Sequence, residues 1–270
     1  MPAIVLSRLR QQASLLAGHF HQPPAFSRSL HHLLEFYADR TQRSGQSGAP
    51  APLLSAFNAP LPVLRQIVIE LAPLAEAGPA FALALCDELW KEGYLEYRLL
   101  AISLLGKIPL GPPDPIILRI DRWAQASYNE ERMLTQILQQ GLARLRQEDP
   151  QQVLKLVENW LNDQDLTCQK LGLRALPPLF FTSIAENLPV ILRLITPFVR
   201  SAPAALRPDI LEVVIALVRL SPKETAHFLR YNLEMEADAA WLVRQCLPEF
   251  PAEAQESLRT SLRSLEKPRR

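Results

Sequence analysis

The sequence predicts an all-α protein, an α-solenoid of HEAT-like helical repeats, on three observations. Almost every segment repeats its apolar residues at the 3.6-residue period of an amphipathic helix, and none alternates as a strand would. Prolines punctuate these segments: of the 24 in the chain, Pro79, Pro115, Pro150, Pro208, Pro222 and Pro251 stand where a helix would begin. Proline suits a first turn because that amide has no helical partner to lose. After residue 60, moreover, the helices come in pairs recurring every ~35–45 residues, the period of HEAT-type units. One pair cannot bury its apolar face alone, so neighbours are expected to stack into a right-handed solenoid with a concave surface.

Taken in order, residues 1–40 read as an N-terminal helical pair. Residues 41–52, TQRSGQSGAPAP, hold no large apolar side chain and read as a flexible linker. Residues 53–265 read as the repeat solenoid, and 266–270 as a frayed tail. Within the solenoid, PAFALALCDELW pairs with LEYRLLAISLLGKI, and DPQQVLKLVENWL with LTCQKLGLRALPPLF. LPVILRLITPFV pairs with ALRPDILEVVIALVRL, and KETAHFLRYNL with AAWLVRQCL. Helices of about 11–18 residues joined by short turns are expected.

Composition narrows the function. Hydrophobic residues make up 48% of the chain, enough for a core, while the formal net charge is only +1. Of the 29 basic residues six are Lys and 23 Arg, the side chain better shaped for phosphate and carboxylate. Anion binding must therefore come from clustering on one face and not from bulk charge. Cys86, Cys168 and Cys246 are far apart in apolar helical patterns and form no CxxC pair, so they read as core residues in a reducing compartment. His19 and His21 flank Phe20, and His31 and His32 precede Glu35 by one turn; a metal would need at least three such groups to converge, so no metal and no cofactor is expected. Arg8 and Arg10 interrupt the apolar N-terminal run, and no stretch of about 18 apolar residues occurs, so a cytoplasmic protein is expected. There is no Gly-rich phosphate loop, GxSxG elbow or HExxH helix.

Two patches carry a family resemblance. FNAPLPVLRQIVIEL (Phe57–Leu71) is followed by DELW and LEYRLLAISLL, with Leu89 and Trp90 at a helix end, Glu96 and Tyr97 opening the next helix, and Ala101 within it. ENWLNDQDLTCQKLGLRAL (Glu158–Leu176) repeats the Trp-led helix end, short polar turn and basic helix. In this order and spacing the chain resembles the DNA alkylation repair family, AlkD-type DNA glycosylases built of HEAT-like repeats, over about residues 55–250. The resemblance implies a concave basic cleft that grips duplex DNA by its backbone and presents a lesion to tryptophans and one aspartate. A carboxylate would stabilise the positive sugar left as an N3- or N7-alkylated purine departs, and tryptophan faces would hold the cation.

The resemblance places Trp123, in DRWAQASYNEERML, at the family's catalytic Trp, but Ser127 at the Asp four residues later. Lys170 stands at the phosphate-binding Arg and lacks its bidentate fork, Thr167 at the preceding Trp, and Glu212 near a further cleft Trp. The key carboxylate is thus lost or rebuilt, and the nearby candidates for a substitute are Asp121, Glu130 and Glu131. Trp123 itself suits either a ligand platform or inter-repeat packing; Trp90, Trp160 and Trp241 read as core. For backbone contacts the candidates are Arg119, Arg122, Lys170, Arg174, Arg193, Arg200 and Arg207, with Arg144, Arg146, Arg219, Arg230 and Arg244 recurring similarly. Arg193 and Arg200, and Lys170 and Arg174, share helix faces, as a phosphate-tracking stripe requires. The reading is a DNA-binding repeat protein of altered or absent glycosylase activity. The alternative is a non-catalytic solenoid that binds a protein partner.

Overall fold

A computed structural model describes residues 5–39, 54–111, 114–127 and 130–266. Among them it holds fifteen α-helices and no strand, an all-α helical-repeat architecture. The expected linker, residues 41–52, and residues 267–270 of the expected tail lie outside the described residues; Glu266 is the last residue of the final helix. The chain divides into two compact units, Met1–Leu145 and Arg146–Arg270.

The first unit contains α1 (Leu6–Ala17), α2 (Pro23–Tyr37), α3 (Leu61–Ala77), α4 (Pro79–Lys91), α5 (Leu95–Leu105), α6 (Asp114–Ala126) and α7 (Glu131–Gln136). α7 runs on through a π-helical turn, Ile137–Gly141, towards α8 (Ala143–Glu148), in which the boundary between the units falls. Helices α1, α3, α5 and α7 stack as one layer and α2 on α4 as another, with α4 and α5 forming the tightest hairpin. α5 is buried nearly all round: Leu99, Leu100, Ala101, Ile102, Leu104 and Leu105 are all inside. A helix apolar on every side belongs in the core.

The N-terminal pair is held to this stack by polar groups as well as packing. The Tyr97 hydroxyl, on α5, donates to the Ser27 carbonyl at 2.9 Å, and Ser27 Oγ donates to Glu92 at 3.0 Å. Burial pushes the Tyr97 phenol up to about 12. Phe57 stacks on Tyr94 at 4.6 Å with His31 edge-on to both, so His31 is part of an aromatic cluster.

The second unit contains α9 (Pro150–Leu161), α10 (Leu166–Ala175), α11 (Leu188–Arg200), α12 (Arg207–Leu220), α13 (Pro222–Met235), α14 (Ala240–Cys246) and α15 (Ala252–Glu266). Asp149 caps α9 by accepting from the Gln152 amide and Asp165 caps α10 through the Thr167 amide. α10, α12 and α14 stack, as do α11, α13 and α15. The expected helix over LTCQKLGLRALPPLF is shorter than read. It stops at Ala175 and continues as a 3-10 segment, Pro177–Phe181, because Pro177 and Pro178 bring no amide hydrogen to an α-helical ladder. α12 packs against α13 as well as against α11, the partner the sequence had assigned it.

Candidate nucleic-acid groove

The sequence candidates on α6 sit in a packed seam. Trp123 is fully buried and lies parallel to Trp90 of α4, ring centroids 4.2 Å apart and planes 7° off parallel. The Arg98 guanidinium lies over Trp90 at 4.9 Å. Three buried polar atoms here have no hydrogen-bond partner: Trp123 Nε1, Ser127 Oγ and Arg98 Nε. Burial lowers the Arg98 pKa, opposed by the nearby Glu130 charge. In this seam Trp123 is packed with no exposed ring face, the inter-repeat role that the sequence left open beside that of a ligand platform.

None of the three candidate carboxylates hydrogen-bonds Trp123 or Ser127. Asp121 accepts from Gln125 one turn on at 2.9 Å, Glu130 is half-buried ahead of α7, and Glu131 is exposed in the first turn of α7.

Most of the arginines read as a phosphate stripe hold neighbouring repeats together. Arg119 grips both oxygens of Asp87, Nε at 2.8 Å and Nη2 at 2.5 Å, 32 residues away. Arg174 pairs with the buried Asp209 at 2.6 Å across 35 residues, and Arg200 Nε donates to Asn232 Oδ1 at 2.8 Å across 32. Arg207 covers the Trp241 ring at 5.1 Å, and Arg219 lies 3.5 Å from Glu249. A guanidinium held in a bidentate, part-buried pair is poorly placed to hold a phosphate as well. Arg122 and Arg193 are exposed and Lys170 is half-buried, Arg122 standing 3.8 Å from Asp87.

A different set of cations comes together in the first unit. A groove of about 520 Å³ runs between α3, α5 and α7, lined by Arg65, Lys107 and Arg132 with Ser103, Gln136 and Gln140. Its walls are apolar, Leu61, Leu64, Val68, Ile69 and Leu99, and no carboxylate lines it. Arg65, Lys107 and Arg132 are all exposed. Arg132 also borders an adjoining hollow of about 270 Å³ that contains Asp39 and Glu96.

Local structure explains how the groove is built. The buried Glu96 carboxylate accepts from the amides of Phe57 at 3.1 Å and Ala59 at 3.2 Å. It thereby fixes the turn at Asn58, whose φ is 55°, and aims the start of α3. Ser55 and Gly93 exchange a further bond, Ser55 amide to Gly93 carbonyl at 3.0 Å. On the other wall, the π turn brings the Gln140 carbonyl against Gly106, where an added Cβ would stand 1.9 Å from that oxygen. Only glycine allows that approach, and it sets Lys107 beside Gln140. Arg144 then ties the turn down by donating to the Lys107 carbonyl at 2.9 Å and to Glu76.

Sequence reasoning missed Arg65, Lys107 and Arg132. They come from α3, the turn after α5 and α7, so no local spacing unites them; only the stacking register of α3, α5 and α7 does. Among the described residues no group of three or more His, Cys, Asp or Glu side chains is placed to hold a metal ion.

The family model described as DNA alkylation repair enzyme matches residues 54–197, more than half of the 270-residue chain. The chain belongs to that family. The matched span begins at the turn clamped by Glu96, contains the whole groove and ends within α11. No curated protein and no solved structure matches the chain.

Proposed function

We propose that this member of the DNA alkylation repair family binds duplex or structured DNA through its phosphate backbone, with its glycosylase machinery lost or rebuilt. The observation that carries the reading is the groove between α3, α5 and α7: three exposed cations, no carboxylate, and amide and hydroxyl groups between them. Phosphate contacts need this composition and carry no sequence information. The loss of excision rests on the α6 seam, where Ser127 occupies the aspartate position of the resemblance and Trp123 is packed on Trp90. The three buried cysteines form no disulfide, in keeping with a cytoplasmic protein.

Fluorescence anisotropy of labelled duplexes, intact and carrying an abasic analogue, tests the proposal across a salt series. Binding should weaken by about 0.9 log unit per log unit of salt for each phosphate neutralised. Replacing Arg65, Lys107 and Arg132 together by Ala should flatten that slope by roughly three contacts. Wild-type protein that fails to bind at low salt overturns the DNA reading. Release of an N3- or N7-alkylated purine that dies on changing Asp121, Glu130 or Glu131 to its amide overturns the loss of excision.

A further inference from the structure

The walls of the basic groove are rows of residues four apart. Leu61, Arg65 and Ile69 form the row on α3, and Arg132, Gln136 and Gln140 the row on α7 and its π turn. Residues four apart lie one above another on a helix, so each row is a ridge. α5 packs against both helices and forms the floor, with Leu99 buried and Ser103 donating its hydroxyl to the Leu99 carbonyl at 2.8 Å; Lys107 follows in the turn beyond.

The two walls differ in chemistry. The α3 wall is aliphatic, with Leu61 and Ile69 left 53% and 61% exposed and Val68 half-buried beside them. Aliphatic side chains standing open together in a polar-rimmed groove mark a surface that an occupant covers. The facing wall carries the Gln136 and Gln140 carboxamides, each with a donor and an acceptor to offer. Each wall and the floor contributes one cation and none a carboxylate, Asp39 and Glu96 lying in the adjoining hollow beside Arg132.

The cations select a polyanion, and the walls select its form. A continuous duplex turns phosphate and sugar outward, its base faces stacked and its Watson–Crick edges paired, so it meets the cations and leaves the aliphatic wall uncovered. An unpaired nucleotide brings a flat apolar face, a free hydrogen-bonding edge and a phosphate together. A groove of about 520 Å³ has the size of sites that enclose small organic groups, ~300–1,000 Å³, which phosphate contacts alone do not need. We propose that the groove holds an unpaired stretch of a DNA strand. Base faces lie on the α3 wall, base edges meet Gln136 and Gln140, and phosphates pair with Arg65, Lys107 and Arg132. The proposal rests on the DNA-binding reading and narrows it to DNA with a single-stranded gap.

The test is fluorescence anisotropy on three labelled duplexes of equal length: one continuous, one with a short gap in one strand, and one whose unpaired nucleotides in that gap lack their bases. Wild-type protein should prefer the gapped to the continuous duplex by about tenfold, from base surface covered on the wall. Removing the bases should abolish the preference, since the phosphates stay. Ile69→Ser should fold with an unchanged melting temperature, because its side chain already faces solvent, and should lower the preference at least about threefold. Gln140→Ala should lower it as well. Equal affinity for continuous and gapped DNA overturns the proposal and leaves backbone binding standing. A preference that survives loss of the bases, or is indifferent to Ile69→Ser, overturns it equally. Failure to bind any of the three overturns the DNA reading itself and leaves the groove to an acidic amphipathic peptide.

Discussion

Replacing Gly106 by alanine should destabilise the first unit strongly, and the structure fixes both the sign and the size. An alanine Cβ at 106 would stand 1.9 Å from the Gln140 carbonyl oxygen, where ordinary contact begins at 3.4 Å. The two segments must therefore separate by about 1.5 Å, the difference of those distances. The obstruction is backbone, which cannot swing aside as a side chain would, so the cost belongs near the upper end of the ~1–3 kcal/mol typical of overpacking. Backbone strain adds nothing, because Gly106 has φ −71°, ψ 0°, a conformation open to alanine. The smaller unfolded-state entropy of alanine returns about 0.4–1 kcal/mol. A net loss of ~2–3 kcal/mol remains, which at roughly 2–4 °C per kcal/mol lowers the melting temperature by about 5–10 °C. Gly93→Ala is the control, since nothing lies within 4 Å of its added Cβ. Thermal denaturation followed by circular dichroism measures both. A Gly106→Ala protein melting within about a degree of wild type would refute the π-turn packing argument. Because Lys107 and Gln140 line the basic groove, the same variant should also lose affinity for DNA while Gly93→Ala retains it.

Ser127→Ala should raise stability by about 1 kcal/mol, since the serine hydroxyl is buried without a partner and its removal deletes a desolvation cost; denaturant unfolding with a lower midpoint would contradict this. Glu96→Ala should cost ~2–4 kcal/mol by leaving the amides of Phe57 and Ala59 without their charged acceptor, and unchanged unfolding would refute the clamp. The Arg144 hydrogen bond holds the Glu76 carboxyl below its ordinary value, so the stabilisation it brings is present above the unfolded glutamate value and is lost as pH falls through the lowered one. The melting-temperature gap between wild type and Glu76→Gln should accordingly close below about pH 4. Burial raises the thiol pKa of Cys86 and pushes that of Cys246 up to about 12, so neither should react with a thiol reagent at pH 8 until the chain is unfolded.

The helices were legible because their cause is local, whereas α13 packs on α12 and α15 and not chiefly on α14, the partner the sequence had assigned it. Apolar period and proline starts act over one or two turns, and Pro79, Pro150 and Pro222 do open α4, α9 and α13. What local pattern could not show was the interruption of 131–148 by a π turn. That depends on Gly106, a residue from another helix whose missing Cβ makes room for the Gln140 carbonyl. The site was legible only in part for the same reason. Trp90, Glu96 and Tyr97 helped to mark the family, yet their structural work is to stack on Trp123, clamp the Asn58 turn and hold α2, none of which spacing reveals.

The fate of the arginines follows from the physics of stacked repeats. Each interface between repeats buries helix surface that also carries polar groups, and Asp209 at 5% exposure is met there by Arg174 at 2.6 Å. Arginine, long and forked, reaches a group one repeat away, as Arg119 and Arg174 do. Periodic arginines are therefore what a stable repeat stack with near-zero net charge demands, whether or not it meets a polyanion. The periodic set is for that reason the weaker guide to a phosphate site, and a non-periodic group of exposed cations is the stronger one. Arg65, Lys107 and Arg132 line one groove that no carboxylate lines, with Asp39 and Glu96 in the hollow beside Arg132. A phosphate backbone bound in that groove would gain three cationic partners. Saturating DNA should consequently raise the melting temperature of wild type more than that of the triple alanine variant, and equal shifts would move the DNA contacts elsewhere on the chain.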